Sequence, residues 1–362
     1  MNKFTKIFFW LTGIVVLSLL AVIYLTPRLI NSEVLKGKIE SIASEKIGGK
    51  VLYCTDDFFA EKENLIKEGR GIFIPDKYTD QGKWMDGWES RRKRTEGHDW
   101  AILKLGAEGI IKGFDIDTNH FLGNHPPFAS VEAIDLGNEN LFWSKSDELD
   151  WEEVLPKSPL EPGSQHFYEI KSDKVYTHIR LHIYPDGGVA RFRVYGEVFK
   201  DWSRVNPDDL IDLALVNNCG KALYCNDMFF SVMDNLISPT SGKNMGDGWE
   251  TKRNRTPHNM DFVILRLGHS GLTHKIIVDT KHFKGNYPDS CAIDACICTN
   301  DDDVLNEKVA WFSLLPKQKL EADQEHLFES DLINEHNAIT HIKLKIYPDG
   351  GISRLRILGT IK

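Results

Sequence analysis

Cysteine is scarce in this chain, with six residues among 362 and no Cys-x-x-Cys pair. That gives no zinc knuckle by motif and no disulfide framework, so free thiols in a reducing compartment are expected. Cys291, Cys296 and Cys298 cluster in one stretch, where burial as small apolar side chains is the expected role. Positive charge is also short. Lys and Arg number 44 against 53 Asp and Glu, a net charge of −9, which excludes a general affinity for the phosphate backbone and predicts no nucleic-acid partner. No Gly-rich loop follows a strand and opens a helix, so a phosphate-cradling site is not expected.

What is present is a globular balance, 41% hydrophobic and 27% charged residues, in a chain long enough for two domains. Residues 7–25 break that balance, since they carry no charge and approach the ~20 residues that span a bilayer. Lys3 and Lys6 precede the run and Pro27-Arg28 follow it without a small-residue cleavage site. An uncleaved N-terminal hydrophobic anchor over residues 1–32 is therefore favoured over a cleaved signal, the competing reading being a non-native extension of a soluble chain.

The rest is a duplication. Gly49-Lys50-Val51-Leu52-Tyr53-Cys54 recurs as Gly220-Lys221-Ala222-Leu223-Tyr224-Cys225, and Asp86-Gly87-Trp88-Glu89 recurs as Asp247-Gly248-Trp249-Glu250. Asp117-Thr118-Asn119-His120-Phe121 matches Asp279-Thr280-Lys281-His282-Phe283, and Tyr184-Pro185-Asp186-Gly187-Gly188 matches Tyr347-Pro348-Asp349-Gly350-Gly351. The offset is 171 at Cys54 and Cys225 but 161 at Asp86 and Asp247, which short loop insertions explain. A period this long means tandem homologous domains rather than solenoid units, and we place them at 33–200 and 201–362.

Each half is expected to open with a short amphipathic helix. Asn206 would cap the second, with Pro207 at its first position and Leu210, Ile211, Leu213 and Ala214 on its apolar face; Ile39, Ile42, Ala43 and Ile47 would serve the first. The remainder reads as β. Residues 177–184 alternate polar and apolar side chains, Pro185 to Gly188 form a turn, and residues 191–194 alternate again, which predicts a hairpin repeated at 340–358. Further strands are expected at 100–105, 110–117 and 262–267. The expected fold class is all-β, two tandem jelly-roll sandwiches with short helices.

The densest polar segment runs from Asp86 to Arg94, and its counterpart keeps Asp247, Trp249, Glu250, Arg253 and Arg255. Guanidinium forks beside carboxylates suit a planar ligand that bears a carboxylate and urea-like N–H groups; a solvated loop with self-paired charges is the alternative. His120 and Asn124 follow a predicted strand and are mirrored by His282 and Asn286, so either histidine could act as a base, a metal ligand or a turn-fixing residue. For a metal, His98, His120, His125, Asp86 and Glu89 have no diagnostic spacing; a divalent ion is compatible and no cofactor is indicated. Trp88 and Trp249 could stack on a ligand or fill the sandwich core.

The runs Thr55–Leu65, Gly71–Tyr78, Gly87–Arg92 and Asp117–Asn124, with the duplicated Tyr-Pro-Asp-Gly-Gly turns, resemble the allantoicase family from about residue 35 to residue 362. The resemblance implies hydrolysis of allantoate to ureidoglycolate and urea by two galactose-binding-like repeats in a homo-oligomer. Family members are usually soluble, so the apolar N-terminus is a departure, and cytoplasmic repeats held by a membrane anchor are expected. Thr360-Ile361-Lys362 carries no peroxisomal signal. For that substrate, Arg92 and Arg94 are assigned to the carboxylate, Glu89 or Asp86 to the general acid, His120 to the base and Asn124 to a ureido carbonyl. Arg253, Arg255, Glu250, Asp247, His282 and Asn286 would form a second site or complete the first. A non-catalytic binding module and a related ureide hydrolase are the rival readings.

Overall fold

The computed structural model of the chain describes residues 42–137 and 143–362. The apolar run 7–25, and with it the expected anchor, lies outside the described residues. Among the described residues, no helix is long and apolar enough to cross a membrane.

Among the described residues the regular structure is mostly β, in two compact units, Gly49–Glu197 and Val198–Lys362, with Lys46–Gly48 belonging to the second. The first unit contains β1 (Lys50–Cys54), β2 (Tyr78–Thr79), β3 (Gly82–Lys83), β4 (Trp88–Glu89), β5 (Asp99–Asp117) and β6 (Phe128–Ile134). It continues with β7 (Glu152–Pro159), β8 (Gln165–Glu169), β9 (Val175–Tyr184), β10 (Gly188–Val189) and β11 (Arg191–Val198). The second unit opens with β12 (Ile211–Asp212), β13 (Lys221–Cys225), β14 (Trp249–Glu250), β15 (Asp261–Asp279) and β16 (Ser290–Cys296). It closes with β17 (Phe312–Lys319), β18 (Glu325–Phe328), β19 (Ile339–Tyr347), β20 (Gly351–Ile352) and β21 (Arg354–Ile361). One short α-helix, Asp301–Leu305, accompanies the second unit.

The spine of each repeat is one strand of 19 residues, β5 or β15. The expected strands at 100–105 and 110–117 are thus a single element. Ala101, Ile102, Leu103, Phe114 and Ile116 are sealed from solvent, because the strand is covered on both faces where its partners are densest. The first part of β5 pairs with β1 and β9 and its end with β8, the register against β9 jumping between Lys104 and Gly109. At that irregularity a Cβ on Gly109 would sit 2.8 Å from the Glu197 carbonyl oxygen; Gly271 repeats this with Thr360 at 2.6 Å. Only glycine admits that approach.

Two expectations are corrected here. The strands flanking the Pro-Asp-Gly-Gly turns do not form hairpins. β9 pairs with β5 and β6, while β11 pairs with β5. The turn instead delivers β10 to β4, and the chain then joins the other end of the long spine. The amphipathic helix at 206–214 is absent. The Leu213 amide donates to the Ile357 carbonyl, and Asp212 Oδ1 accepts from the amides of Ala214 and Ile357, so the donors a helix would need serve the sheet edge. A one-turn 3₁₀ segment, Val216–Asn218, follows it. Among the described residues ahead of β1 there is the 3₁₀ turn Glu45–Ile47, and Ile39 of the helix expected there lies outside them. All six cysteines are free, and Cys291 and Cys296 are buried.

Candidate active site

β4 is only two residues long, and its pleat separates two functions. Trp88 points inward with 0% exposure and its indole N–H donates to the Asp56 carbonyl at 2.8 Å. Glu89, the next residue, faces the opposite way. Trp88 is therefore core and not a stacking surface for ligand, a correction that holds equally for Trp249, whose indole donates to Asp227 at 2.8 Å. Pairing of Glu89 with Gly188 in β10, and with Ala60 across an isolated bridge, fixes the backbone beneath the carboxylate.

His120 is placed by the segment from Asp117 to Asn124. Asp117 is buried, receives two guanidinium hydrogen bonds from Arg70 at 3.0 Å each and accepts the Asn119 amide at 2.9 Å. Thr118 is sealed and donates its hydroxyl to the Glu161 carbonyl. The chain turns at His120 through a left-handed conformation, φ 69°, which sets the imidazole 5.5 Å from the Phe73 ring. Neither ring nitrogen of His120 makes a hydrogen bond among the described residues. Asn124 accepts the Gly188 amide on its carbonyl at 2.7 Å and donates its side-chain amide to Glu89 Oε1, also at 2.7 Å.

Glu89, His120 and Asn124 together line a cavity of about 320 Å³ whose other walls include Phe59, Lys83, Met85 and Leu122. Burial pushes the Glu89 carboxyl above its ordinary pKa, and the Asn124 amide, which favours the anion, offsets this only in part. The result is a carboxyl able to hold a proton beside an imidazole with open nitrogens. That pairing can perform general acid–base chemistry on a small polar molecule.

Asp86, the other acid expected at the site, is differently employed. Its carboxylate forms a buried ion pair with Arg191 at 2.7 Å and accepts the Ile72 amide at 2.9 Å. Burial alone would raise its pKa, but the Arg191 hydrogen bond and charge, with the Ile72 amide, hold it below the usual carboxylate range. Asp86 is thus ionised and anchors the chain around the cavity. Arg92 and Arg94 are exposed, and neither lines the cavity. The cation in its wall is Lys83, which the motifs alone did not single out. Its ammonium lies 4.6 Å from the Tyr78 ring centroid and 5.0 Å from that of Phe73. The signal for it was the ten-residue fall in the repeat offset, since β2 and β3 belong to the segment that the second repeat lacks.

The second repeat keeps the frame and changes the occupants. Asn286 again donates to Glu250 Oε1 and accepts the Gly351 amide, and His282 again turns through φ 75°. Its ring, however, is bonded through Nε2 to the Gly242 carbonyl at 2.7 Å. Asp247 accepts the Lys243 amide on its carboxylate, and its carbonyl accepts from Arg354. Arg253 and Arg255 are exposed. Among the described residues, no group of three or more His, Cys, Asp or Glu is placed to hold a metal ion; His98 and His125 do not join the Glu89 cavity.

The family described as Allantoicase repeat matches residues 40–199 and 211–362. The chain belongs to the allantoicase family. A protein of Pseudomonas fluorescens named probable allantoicase is 48% identical over 90% of this chain and 97% of its own length. One of Photobacterium profundum with the same name is 47% identical over 88% of this chain and 96% of its own. The crystal structure of allantoicase from Saccharomyces cerevisiae is 38% identical, covers 92% of this chain and 99% of its own, and superposes with a TM-score of 0.73.

Proposed function

We propose that this chain is an allantoicase, hydrolysing allantoate to ureidoglycolate and urea, and that the working site is the Glu89 cavity of the first repeat. The observation that carries the placement is the difference between the two histidines. His120 faces the cavity with open nitrogens, whereas His282 is spent on a backbone carbonyl.

The substrate has one central carbon bearing a carboxylate and two ureido groups. One ureido nitrogen must be protonated to leave, and water must add to the same carbon. Glu89, its pKa raised by burial, is the general acid, and His120 is the base that takes a proton from water. Asn124 supplies its remaining amide capacity to a ureido group. Lys83 meets the carboxylate from the cavity wall, while Arg92 and Arg94 on the adjoining exposed loop draw the anion inward by charge. The repeats are read as galactose-binding-like jelly-roll sandwiches at 33–200 and 201–362, cytoplasmic, assembled as a homo-oligomer and held at a membrane by residues 7–25.

Two outcomes test the roles. Lys83→Met raises KM for allantoate by roughly tenfold or more with a smaller change in kcat, as expected for loss of a ground-state contact to the carboxylate. An unchanged KM would remove Lys83 from the site. Asn124→Ala removes the hydrogen bond that favours ionised Glu89, so the pKa of the acid rises further. The alkaline limb of kcat/KM, where activity is lost as Glu89 ionises, then moves to higher pH; a limb that stays in place or moves down would show that another group sets it.

A further inference from the structure

A second set of titratable side chains in the first repeat is connected by hydrogen bonds and lines no part of the Glu89 cavity. Glu132 on β6 faces His182 on β9, with His182 Nε2 2.9 Å from Glu132 Oε2. Nδ1 of His182 lies 2.8 Å from Nε2 of His98, in the loop before β5. Glu132 is held ionised: the His182 hydrogen bond and the Arg180 guanidinium outweigh burial and bring its pKa down to about 2. An ionised Glu132 makes His182 Nε2 the donor. Nδ1 of His182 is then an acceptor, Nε2 of His98 must donate to it, and Nδ1 of His98 keeps its lone pair. That last nitrogen makes no hydrogen bond among the described residues and is not sealed from solvent.

We propose that Glu132, His182 and His98 form a proton relay whose outer end, Nδ1 of His98, is a second acid–base site of the first repeat, taking a small anion that donates an N–H or O–H proton. A proton accepted at His98 Nδ1 is stabilised by transfer of the Nε2 proton toward His182 and of the His182 proton toward the carboxylate. The line is braced by its neighbours. Arg180 braces Glu132 at 2.6 Å and lies 4.9 Å from the Trp151 ring centroid, and the His98 ring rests 4.3 Å from that of Tyr184.

The charges facing His98 favour an anion. Lys157 sits 4.3 Å from the centroid of the same Tyr184 ring, and Arg92 and Arg94 are exposed in the segment that leads to His98. The nearby acids are occupied, Asp99 by Lys93 at 2.6 Å and Glu132 by Arg180. Burial, then the neighbouring His182 ring and the cations Lys93 and Arg180, hold His98 below its ordinary pKa against the opposing pull of Asp99. The second repeat shows that packing alone does not need this arrangement. Met260 and Lys345 replace the two imidazoles, and Lys345 simply pairs with Asp294 at 2.6 Å.

The test is a pH titration of the full-length protein with ¹⁵N-labelled histidine side chains. H182Q, which keeps the Arg180–Glu132 pair but breaks the line of transferable protons, lowers the His98 midpoint by roughly one pH unit, opposite to the rise expected from removing the His182 charge alone, and E132Q lowers it likewise where it folds. N-carbamoylglycine, which carries a carboxylate and ureido N–H groups, shifts the His98 Nδ1 resonance in the wild type, and acetate does not. A His98 midpoint unchanged or raised in H182Q would overturn the relay. Equal responses to acetate and N-carbamoylglycine, or a response to neither, would overturn the proton-donor site. None of these readouts depends on turnover at Glu89.

Discussion

Replacing Glu89 by Gln lowers kcat for allantoate by roughly 10²–10⁴-fold while the protein stays folded, the range expected when a positioned general acid is lost. The amide has nearly the shape of the protonated carboxyl, and its oxygen can still accept from Asn124, so the cavity keeps its form. What disappears is the transferable proton. The corresponding change in the second repeat, Glu250→Gln, leaves kcat close to the wild-type value, because the His282 ring there is bonded to Gly242. Urea release under saturating allantoate measures both. Equal losses in E89Q and E250Q would mean that both repeats work, and an active E89Q would pass the acid role to another group.

Asp86→Ala should cost stability rather than chemistry, by about 3–5 kcal/mol. Arg191 is buried with its side chain 4% exposed, and the substitution strips its carboxylate partner and leaves the Ile72 amide without its acceptor. The guanidinium keeps bonds to the Gly69, Asp86 and Ala190 carbonyls, but these do not neutralise its charge. Urea denaturation of wild type and variant gives the difference. A loss under about 1 kcal/mol would show that the pair is solvated, as surface ion pairs are. The contrast with Glu89 is sharp: protein carrying D86A that remains folded in the cold retains turnover that E89Q does not.

Much of this was legible because the chain is written twice. The repeated Asp-Gly-Trp-Glu and Asp-Thr-x-His-Phe segments marked the positions that meet at the cavity, and period-two alternation located β9 and β19. Alternation within Trp88-Glu89 also separated core from site once the strand was known. Sequence could not choose between Asp86 and Glu89 for the proposed acid. That choice rests on Arg191, 105 positions from Asp86, and on the burial of Glu89. Nor could local pattern show that β9 and β11 share a spine without pairing, since a turn between two strands looks the same whether they join each other or a third. The helix expected at 206–214 had cap and apolar face, but its amides found better acceptors on β21 and Asp212. The Glu132–His182–His98 line joins residues 50 and 84 positions apart, beyond the reach of any motif.

The most direct test of the account is urea formation from allantoate by the full-length protein, followed together with ureidoglycolate. Equimolar release of the two, lost in E89Q, is the predicted result. A folded protein that forms no urea from allantoate, or one whose turnover is indifferent to Glu89, would contradict it.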